Sequence, residues 1–327
     1  MNGINRMVLL TAMAAAVTVA AAVENAPGQV MAQRSAPVAS GPIAFSTKRE
    51  VIGAIRQHKI RKKETLLDIA RQYHLGFNEI QDLYPQLDPW LPPEGMLMDI
   101  PSRWILPKGV FNGIIVNIAE LRLYCFSADQ SSVVTFPISI GEEAWPTPEG
   151  TFAIKEKKTQ PGWAVPPSLR HKYDFQYLPP GPDNPLGAFW MGLENTRYGI
   201  HGTDFPWSIG RAVTRGCIRL YPEDIKRLFE LVQPGTRVTI IYEPVKIGTL
   251  ADRVVVEVHR DIYGRVGNLQ QYGLFHLRMS KHAWRVDLDK YRRALERQDG
   301  MPVDVTRSLA TGSMGNKPFK SPVEPSL

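Results

Sequence analysis

The stretch from His201 to Leu220 constrains this chain more than any other part of it. It reads H-G-T-D-F-P-W-S-I-G-R-A-V-T-R-G-C-I-R-L and sets a histidine sixteen residues before a cysteine. A thiol is an effective nucleophile only as a thiolate, and a nearby imidazole or guanidinium group lowers its pKa. Arg215 and Arg219 each lie two residues from Cys217. We therefore expect an activated cysteine with a lowered pKa that reacts by covalent acyl transfer.

Size and charge limit the classes of protein to consider. A chain of 327 residues can bury a full core and form more than one domain. Its formal net charge of +7 suits an anionic polymer as partner. Nucleic acid is not the predicted polymer, because zinc-finger spacing, aromatic RNA-binding motifs and a basic helical stripe are all missing. The histidines show no metal-ligand spacing, so we predict neither a metal nor a cofactor.

Residues 1–32 have the composition of a secretory signal. Arg6 precedes an uncharged run from Met7 to Val23, and small residues suggest cleavage after about residue 22 or 32. These features predict an exported, cell-wall-associated protein of the periplasm that does not span the membrane once cleaved. A retained membrane anchor is the alternative, since the apolar run is of borderline length for a bilayer.

The chain has two cysteines, Cys125 and Cys217. Export would permit a disulfide between them, and that bridge would silence the nucleophile. Cys125 stands at the end of a run that alternates like a strand. We therefore predict a packed, structural Cys125 and a free Cys217.

Hydrophobic periodicity divides the rest of the chain. Residues 33–50 have a linker composition. Residues 51–103 predict a compact strand–helix–helix–strand unit, with helices over 64–73 and 77–84. Residues 112–246 alternate with period two, which indicates paired strands over 114–124 and 132–140, and a helix follows over 222–232. Residues 247–299 form an extension of unknown role, and the composition of 300–327 predicts disorder.

The unit at 51–103 resembles the lysin motif (LysM), a small module of bacterial wall proteins. The resemblance rests on E-T-L-L-D-I-A-R-Q-Y at 64–73 and P-P-E-G-M-L-M-D-I-P at 92–101. It departs from the family at Lys63, where the family has glycine, and at Tyr84, where asparagine is common. The resemblance implies binding to wall glycan, and the alternative is a spacer that positions the next domain.

Residues 112–246 resemble the catalytic domain of the L,D-transpeptidases of peptidoglycan. The resemblance rests on G-I-H-G-T at 199–203 together with T-R-G-C-I-R-L-Y-P-E-D-I at 214–225. G-P-D-N-P-L-G at 181–187 and Y-E-P-V-K at 242–246 match flanking features. The implied fold class is α+β, in which the LysM-like module precedes a mainly β, sandwich-like catalytic domain with one or more short helices.

The resemblance implies a role for each residue of the motif. Cys217 would attack a stem-peptide carbonyl, and His201 would take the thiol proton and later activate the incoming amine. The backbone carbonyl of Gly202 would orient His201. The N–H groups of Gly216 and Cys217 are the candidate donors to the oxyanion. Arg219 would hold the site together or attract substrate carboxylates.

Four further residues are candidate substrate ligands, with alternatives for three of them. Arg215 occupies a position where many family members carry histidine, so a cation remains beside the thiol. Asp183 and Asn184 are also typical turn formers. Tyr198 lines the cleft or packs in the core.

The resemblance also implies the reaction. The donor is a tetrapeptide stem cleaved between its third residue, expected to be diaminopimelate, and D-alanine. The acceptor is an amine of another stem or the lysine of an outer-membrane lipoprotein, and carbapenems acylate the cysteine. One alternative is a hydrolase that uses the same thioester, as a carboxypeptidase or a lipoprotein-detaching enzyme. The other is a wall-binding protein without catalysis.

Overall fold

Short strands dominate the structure, as expected of a chain rich in proline and glycine. The computed structural model describes residues 42–109 and 112–308. The predicted signal peptide and residues 309–327 of the predicted disordered tail lie outside this part. Within the described residues, no helix has both the length and the apolar character needed to cross a bilayer.

The helices are few and at most eleven residues long. They are α1 (Leu66–Gln72), α2 (Phe77–Leu83), α3 (Pro222–Leu231), α4 (Leu269–Met279) and α5 (Leu288–Arg297). Short 3₁₀ turns lie at Pro167–Lys172, Pro206–Ser208 and Ala283–Arg285. The strands are β1 (Phe45–Ser46), β2 (Val51–Gly53), β3 (Arg56–Lys59), β4 (Leu97–Ile100), β5 (Arg103–Ile105), β6 (Ile114–Asn117), β7 (Arg122–Phe126), β8 (Ser132–Pro137), β9 (Ile140–Gly141), β10 (Gly150–Thr159), β11 (Trp163–Ala164), β12 (Tyr177–Leu178), β13 (Phe189–Leu193), β14 (Gly199–His201), β15 (Ala212–Thr214), β16 (Ile218–Arg219), β17 (Arg237–Ile241), β18 (Val245–Leu250), β19 (Arg253–Val258) and β20 (Val303–Asp304).

A nine-stranded sheet forms the centre of the molecule, in the order β1-β8-β7-β6-β17-β10-β13-β14-β16. The β6–β17 and β14–β16 pairs are parallel, and the other neighbours are antiparallel. With five α-helices beside these strands in the described part of the chain, the α+β, mainly β class predicted from the sequence is confirmed.

Both faces of this sheet are buried near β6 and β7. Leu123 and Cys125 lie in one apolar cluster, and Tyr124 and Phe126 lie in a second one. Successive side chains of a strand point to opposite faces, so the alternation places the two sets in different cores. Ile225 and Leu228 of α3 complete the first core. The unit at 51–103 supplies most of the second.

The unit at 51–103 has the predicted order, β3–α1–α2–β4, with β3 and β4 antiparallel. Thr65 caps α1, because its hydroxyl accepts a hydrogen bond from the Asp68 N–H at 3.1 Å. Gly76 is the N-cap of α2. The predicted helices over 64–73 and 77–84 are therefore confirmed to within two residues at each end.

This unit is joined to the sheet through a shared core and buried charges. Leu66, Ile69 and Ile80 pack in the same cluster as Tyr124 and Phe126. The core of this unit therefore continues into the central sheet. The division of the chain at residue 103 stays a prediction, while the packing makes residues 51–103 part of one folded body.

Charged contacts strengthen the same interface. Arg71 of α1 binds Glu223 of α3 through two hydrogen bonds of 2.7 and 2.8 Å. The guanidinium of Arg122 in β7 binds Glu79 of α2, and both side chains are buried.

The backbone also packs tightly at this interface. Gly210 approaches α2 so closely that a Cβ there would lie 2.3 Å from the backbone nitrogen of Phe77.

Three sequence predictions fail at the edges of the elements. The predicted strand over 114–124 is a hairpin, because residues 118–121 turn between β6 and β7 and Leu121 has a φ of 56°. The predicted linker over 33–50 contributes β1, which pairs with β8. The predicted disordered tail begins with β20, which pairs with β19 and is followed by buried Val305. In each case pairing across the sheet overrides local composition.

The C-terminal extension has a small sheet and an apolar core of its own. Strands β18, β19 and β20 form a sheet, and α4 and α5 pack on it around Tyr291 and Leu295. The pattern over 288–297 predicts α5, whereas α4 has no counterpart among the predictions. Gly273 inside α4 contacts Leu295 closely, and a glycine within a helical pattern weakens the sequence signal.

A buried lysine connects the three parts of the molecule. The Lys246 ammonium lies 2.8 Å from Glu120 and 2.8 Å from Glu257, and it donates to the Ile105 carbonyl at 2.7 Å. Burial acts to lower the pKa of Lys246, but the two carboxylates outweigh it and raise this pKa. Glu120, Glu257 and His259 also form the one cluster of potential metal ligands among the described residues. There the Lys246 ammonium already lies within ion-pair distance of both carboxylates.

We expect Lys246→Met to lower the free energy of unfolding by about 3–5 kcal/mol, because it leaves two buried carboxylates without a counter-charge. Urea denaturation would measure the loss. Lys158→Met is the matched control, since Lys158 and Glu156 form an exposed pair and exposed pairs contribute at most about 1 kcal/mol. Equal losses in the two variants would contradict the special role of Lys246.

Candidate active site

His201 and Cys217 lie at the end of the central sheet on two neighbouring parallel strands. β14 pairs with β16 so that Ile200 lies beside Ile218 and His201 beside Arg219. The Leu220 N–H donates to the His201 carbonyl at 2.9 Å and extends this pairing. Cys217 immediately precedes β16, so the sheet brings together two residues that are sixteen positions apart.

The imidazole of His201 is buried and held on two sides. Its Nδ1 lies 2.7 Å from the carbonyl oxygen of Gly202, the partner that the resemblance implies. A carbonyl only accepts, so Nδ1 carries the proton and Nε2 keeps a lone pair. The Trp190 ring stacks on the imidazole at 5.7 Å between centroids. Burial, followed by the charge of Arg219, lowers the pKa of His201 to about 3, which keeps the ring neutral at neutral pH.

The environment of Cys217 corrects the expectation of a thiol with a lowered pKa. The side chain is half-buried, and desolvation raises its pKa above the ordinary value. A hydrogen bond from the Gly199 backbone and the charges of Arg219 and Arg197 act in the opposite direction but do not outweigh burial. The resting site therefore holds a neutral thiol and a neutral imidazole.

Cys125 is separate from this site. Both cysteines are free, so the disulfide considered from the sequence is not formed. Cys125 is buried in the core of the central sheet, and desolvation raises its pKa to about 12.

The turn before Cys217 requires glycine at position 216. Gly216 has a φ of 100°, and a Cβ there would lie 2.4 Å from the Tyr198 ring. Tyr198 thus packs directly against the turn. The Thr214 hydroxyl accepts from the Gly216 N–H at 3.2 Å and donates to the Cys217 carbonyl at 2.6 Å.

This turn corrects one expected role. The sequence suggested the N–H groups of Gly216 and Cys217 as donors to an oxyanion. The Gly216 N–H is already bound to Thr214 within the turn, so it is not free to bind a substrate. Of the two candidates, the Cys217 N–H remains.

Arg219, which lies beside His201 in the strand pairing, has one donor without a partner. Its Nε is buried and has no hydrogen-bond partner among the described residues. Burial lowers the pKa of Arg219, while the nearby charges of Asp204 and Cys217 act to raise it. A buried guanidinium without a bidentate partner is suited to a carboxylate of a bound molecule.

The other predicted ligands lie in two different places. Arg215 is half-buried, and its guanidinium lies 5.3 Å from the centroid of the Trp145 ring. Asp183 is exposed on the proline-rich loop. Asn184 is buried, with its amide donating to Pro161 and Pro179 and its carbonyl oxygen accepting from Leu186. The polar atoms of the Asn184 side chain thus form hydrogen bonds within the loop. Asn184 therefore acts as a turn former, and its prediction as a substrate ligand is wrong.

Sequence reasoning missed two threonines beside the cysteine and left the placement of Trp190 open. Thr214 ties the turn internally, and Thr147 donates to the Gly216 carbonyl at 3.1 Å. Thr147 begins the run T-P-E-G, whose composition predicts only a turn. Its position just before the Gly216–Cys217 pair is the sequence signal that could have identified Thr214.

Known proteins are similar to this chain over most of its length. Residues 112–240 match YkuD, the L,D-transpeptidase catalytic domain. The chain is 35% identical over 266 residues to the "Probable L,D-transpeptidase ErfK/SrfK" of Escherichia coli (strain K12), covering 77% of this chain and 84% of that protein. Two other proteins of that strain are similar. "Probable L,D-transpeptidase YcfS" is 33% identical over 79% of this chain and 85% of its own length, and "Probable L,D-transpeptidase YbiS" is 34% identical over 72% and 81%.

Alkylation by iodoacetamide tests the neutral resting pair. Because burial raises the pKa of Cys217, we expect its alkylation rate to increase with pH around a midpoint above the ordinary thiol value. Peptide mapping by mass spectrometry measures the rate, and buried Cys125 serves as the internal control that stays unmodified. A midpoint between roughly 3.5 and 7.5, the range of activated cysteines, would contradict the neutral pair.

Proposed function

This chain belongs to the L,D-transpeptidase family, and we propose that it forms peptidoglycan amide bonds with Cys217 as the nucleophile. One observation carries the proposal. In the parallel pairing of β14 with β16, Ile200 lies beside Ile218, so the next residue of β14, His201, and the residue before Ile218, Cys217, lie near the same strand pair, and the Nδ1 of the buried His201 is bound to the Gly202 carbonyl. A nucleophile, a base and an orienting acceptor in this order are what acyl transfer requires.

Acylation of the cysteine is the first half of the proposed reaction. The Cys217 sulfur attacks the carbonyl carbon of the third stem residue, expected to be diaminopimelate, while its proton moves to Nε2 of His201. The Cys217 N–H donates to the resulting oxyanion. The bond to D-alanine then breaks, and D-alanine leaves as an amine that takes the proton from His201. The product is a thioester on Cys217.

Transfer to an amine is the second half. The acceptor amine attacks the thioester carbonyl and gives a proton to Nε2 of His201. The carbon–sulfur bond breaks, and the departing sulfur recovers that proton. The new amide joins the donor stem to another stem or to a lipoprotein lysine, and the enzyme returns to its neutral pair.

The pKa shifts favour proton transfer that accompanies carbon–sulfur bond formation. Burial disfavours a free thiolate and a free imidazolium alike, because each would be a charge with little solvation. An imidazolium that forms while the negative charge passes to the carbonyl oxygen is never an isolated charge. General-base catalysis of this kind contributes about 10²–10⁴-fold to the rate.

Two arginines beside Cys217 suit the charges of a stem peptide. The donor carries carboxylates at D-alanine and on diaminopimelate. Arg219 offers a buried Nε without a partner, and Arg215 lies two residues before the cysteine. We assign carboxylate recognition to these two side chains.

We also propose that the protein acts outside the cytoplasm on the cell wall. Its substrate class is assembled there, and the sequence of residues 1–32 predicts an export signal.

The LysM-like module is proposed to bind wall glycan. An open groove of about 820 Å³ is lined by Lys59, Arg61 and Lys62 on one side and by residues 94–95 on the other. Trp90 lies in the adjoining loop and is 54% exposed. Exposed aromatic surface beside basic side chains fits an anionic glycan-peptide polymer.

A substitution within the groove tests glycan binding better than removal of the module, which would expose the shared core. We expect Lys62→Glu together with Trp90→Ser to weaken co-sedimentation with purified sacculi by about 10-fold, while leaving turnover of soluble muropeptides unchanged. Leu231→Ser, at an exposed apolar position on α3, is the control. Undiminished sedimentation of the groove variant would argue for a spacer.

Purified protein with disaccharide-tetrapeptide tests the proposed reaction. We expect a crosslinked dimer that has lost one D-alanine, detected by mass spectrometry. Cys217→Ala should abolish it, and His201→Asn should reduce it by about 10²-fold or more, because each removes a group that reacts directly. Cys125→Ala is the matched control and should retain activity. Monomer lacking D-alanine would indicate hydrolysis instead, and unchanged substrate without a meropenem adduct would indicate a binding protein.

A further inference from the structure

A hydrogen-bond chain reaches the Cys217 turn from behind the catalytic sheet. The Thr147 side chain is fully buried, and its hydroxyl donates to the Gly216 carbonyl at 3.1 Å. The same hydroxyl accepts from the Gly141 N–H at 2.9 Å. Thr147 therefore fixes the Gly216 carbonyl to strand β9.

Fixing that carbonyl also fixes the candidate oxyanion donor. The Gly216 carbonyl and the Cys217 N–H belong to one planar trans peptide group, in which they point in opposite directions. A glycine with a φ of 100° has neighbouring backbone conformations open to it that other residues lack. Without an anchor on the carbonyl, the peptide plane could rotate and turn the N–H away from the substrate.

The anchor itself is held by the C-terminal extension. The hydroxyl of Tyr263, in the loop after β19, donates to the Gly141 carbonyl and lies 3.5 Å from the Thr147 nitrogen. The Tyr263 ring stacks on Tyr242 at 6.0 Å between centroids. Arg265 lies over the Tyr263 ring at 4.8 Å and binds Glu149, two residues after Thr147.

We propose that Thr147 and Tyr263 are positioning residues that aim the Cys217 N–H at the oxyanion, and that the C-terminal extension thereby completes the catalytic site. This inference rests on the proposed function. It gives residues 247–299 a role in the reaction, although they lie beyond the matched catalytic domain at 112–240.

The inference has a kinetic signature that ordinary destabilisation lacks. An oxyanion donor acts only when charge develops on the carbonyl oxygen, so its misplacement lowers kcat and leaves KM unchanged. Alkylation of the sulfur by iodoacetamide forms no oxyanion. A variant in which only the donor is misplaced therefore keeps the alkylation rate of the wild-type protein and its pH profile.

The experiment compares four full-length variants with the wild type. Thr147→Val removes the hydroxyl at nearly constant volume, Thr147→Ser keeps it, and Tyr263→Phe removes the second hydroxyl. Tyr291→Phe is the matched control, because the Tyr291 hydroxyl also donates to a glycine carbonyl of the extension, that of Gly273. Meropenem acylation, turnover of disaccharide-tetrapeptide and iodoacetamide alkylation are measured for each.

We expect Thr147→Val to lower kcat and the meropenem acylation rate by roughly 10-fold, a fraction of the 10²–10³-fold loss on removal of an oxyanion donor. Tyr263→Phe should lower both by about 3-fold, because it acts one bond further away. KM and alkylation should be unchanged, Thr147→Ser should restore the rate, and Tyr291→Phe should match the wild type.

Two results would overturn the inference while the proposed function stands. One is wild-type acylation in all four variants. The other is a parallel loss of acylation and alkylation, which would show that the sulfur rather than the N–H has moved. If the wild-type protein is alkylated at Cys217 but forms neither a meropenem adduct nor a product from disaccharide-tetrapeptide, the proposed function itself is contradicted.

Discussion

The ammonium group of Lys246 is the contact on which the arrangement of the molecule depends. It forms ion pairs with Glu120, in the turn between β6 and β7, and with Glu257 of the extension, and it donates to the Ile105 carbonyl at the end of β5, just beyond the module at 51–103. Three segments that are far apart in sequence are thus joined by the ion pairs and the hydrogen bond of one buried side chain. Since an uncompensated charge there is costly, the three parts cannot separate without losing this interaction. The catalytic sheet therefore keeps both neighbours, and the extension stays within reach of the Cys217 turn.

Burial governs the chemistry of the site as well. The same desolvation that keeps His201 neutral also keeps the Cys217 thiol protonated. A dry site strengthens every hydrogen bond to a developing charge, so one well-aimed N–H can contribute as much as several donors in water. That makes the orientation of a single peptide plane important. It also explains why two threonines, Thr147 and Thr214, are devoted to a turn of four residues.

Much of the fold and of the site could be read from local sequence. Helices α1, α2, α3 and α5 lie where their sequence patterns predict them, and the class of the fold is the one that the resemblance to the L,D-transpeptidases implies. The pairing of His201 with its Gly202 acceptor matched the implied contact. The thiol pKa did not, because neighbouring arginines are visible in the sequence whereas the desolvation that outweighs them is not. Asn184 failed as a ligand for the same reason: its partners Pro161 and Pro179 are known only once the loop is folded.

The sequence by itself determined the chemical groups, since a histidine, a glycine–cysteine pair and flanking arginines within twenty residues specify an acyl-transfer motif. It also indicated four of the five helices among the described residues, because periodicity is a local property, but it gave no signal for α4. Only the tertiary structure decided the direction of the pKa shifts of His201 and Cys217, the partner of the Gly216 N–H and the contacts of the extension with the residues behind that turn. These depend on burial and on contacts between residues more than a hundred positions apart, such as Gly141 with Tyr263, and no local pattern carries that information.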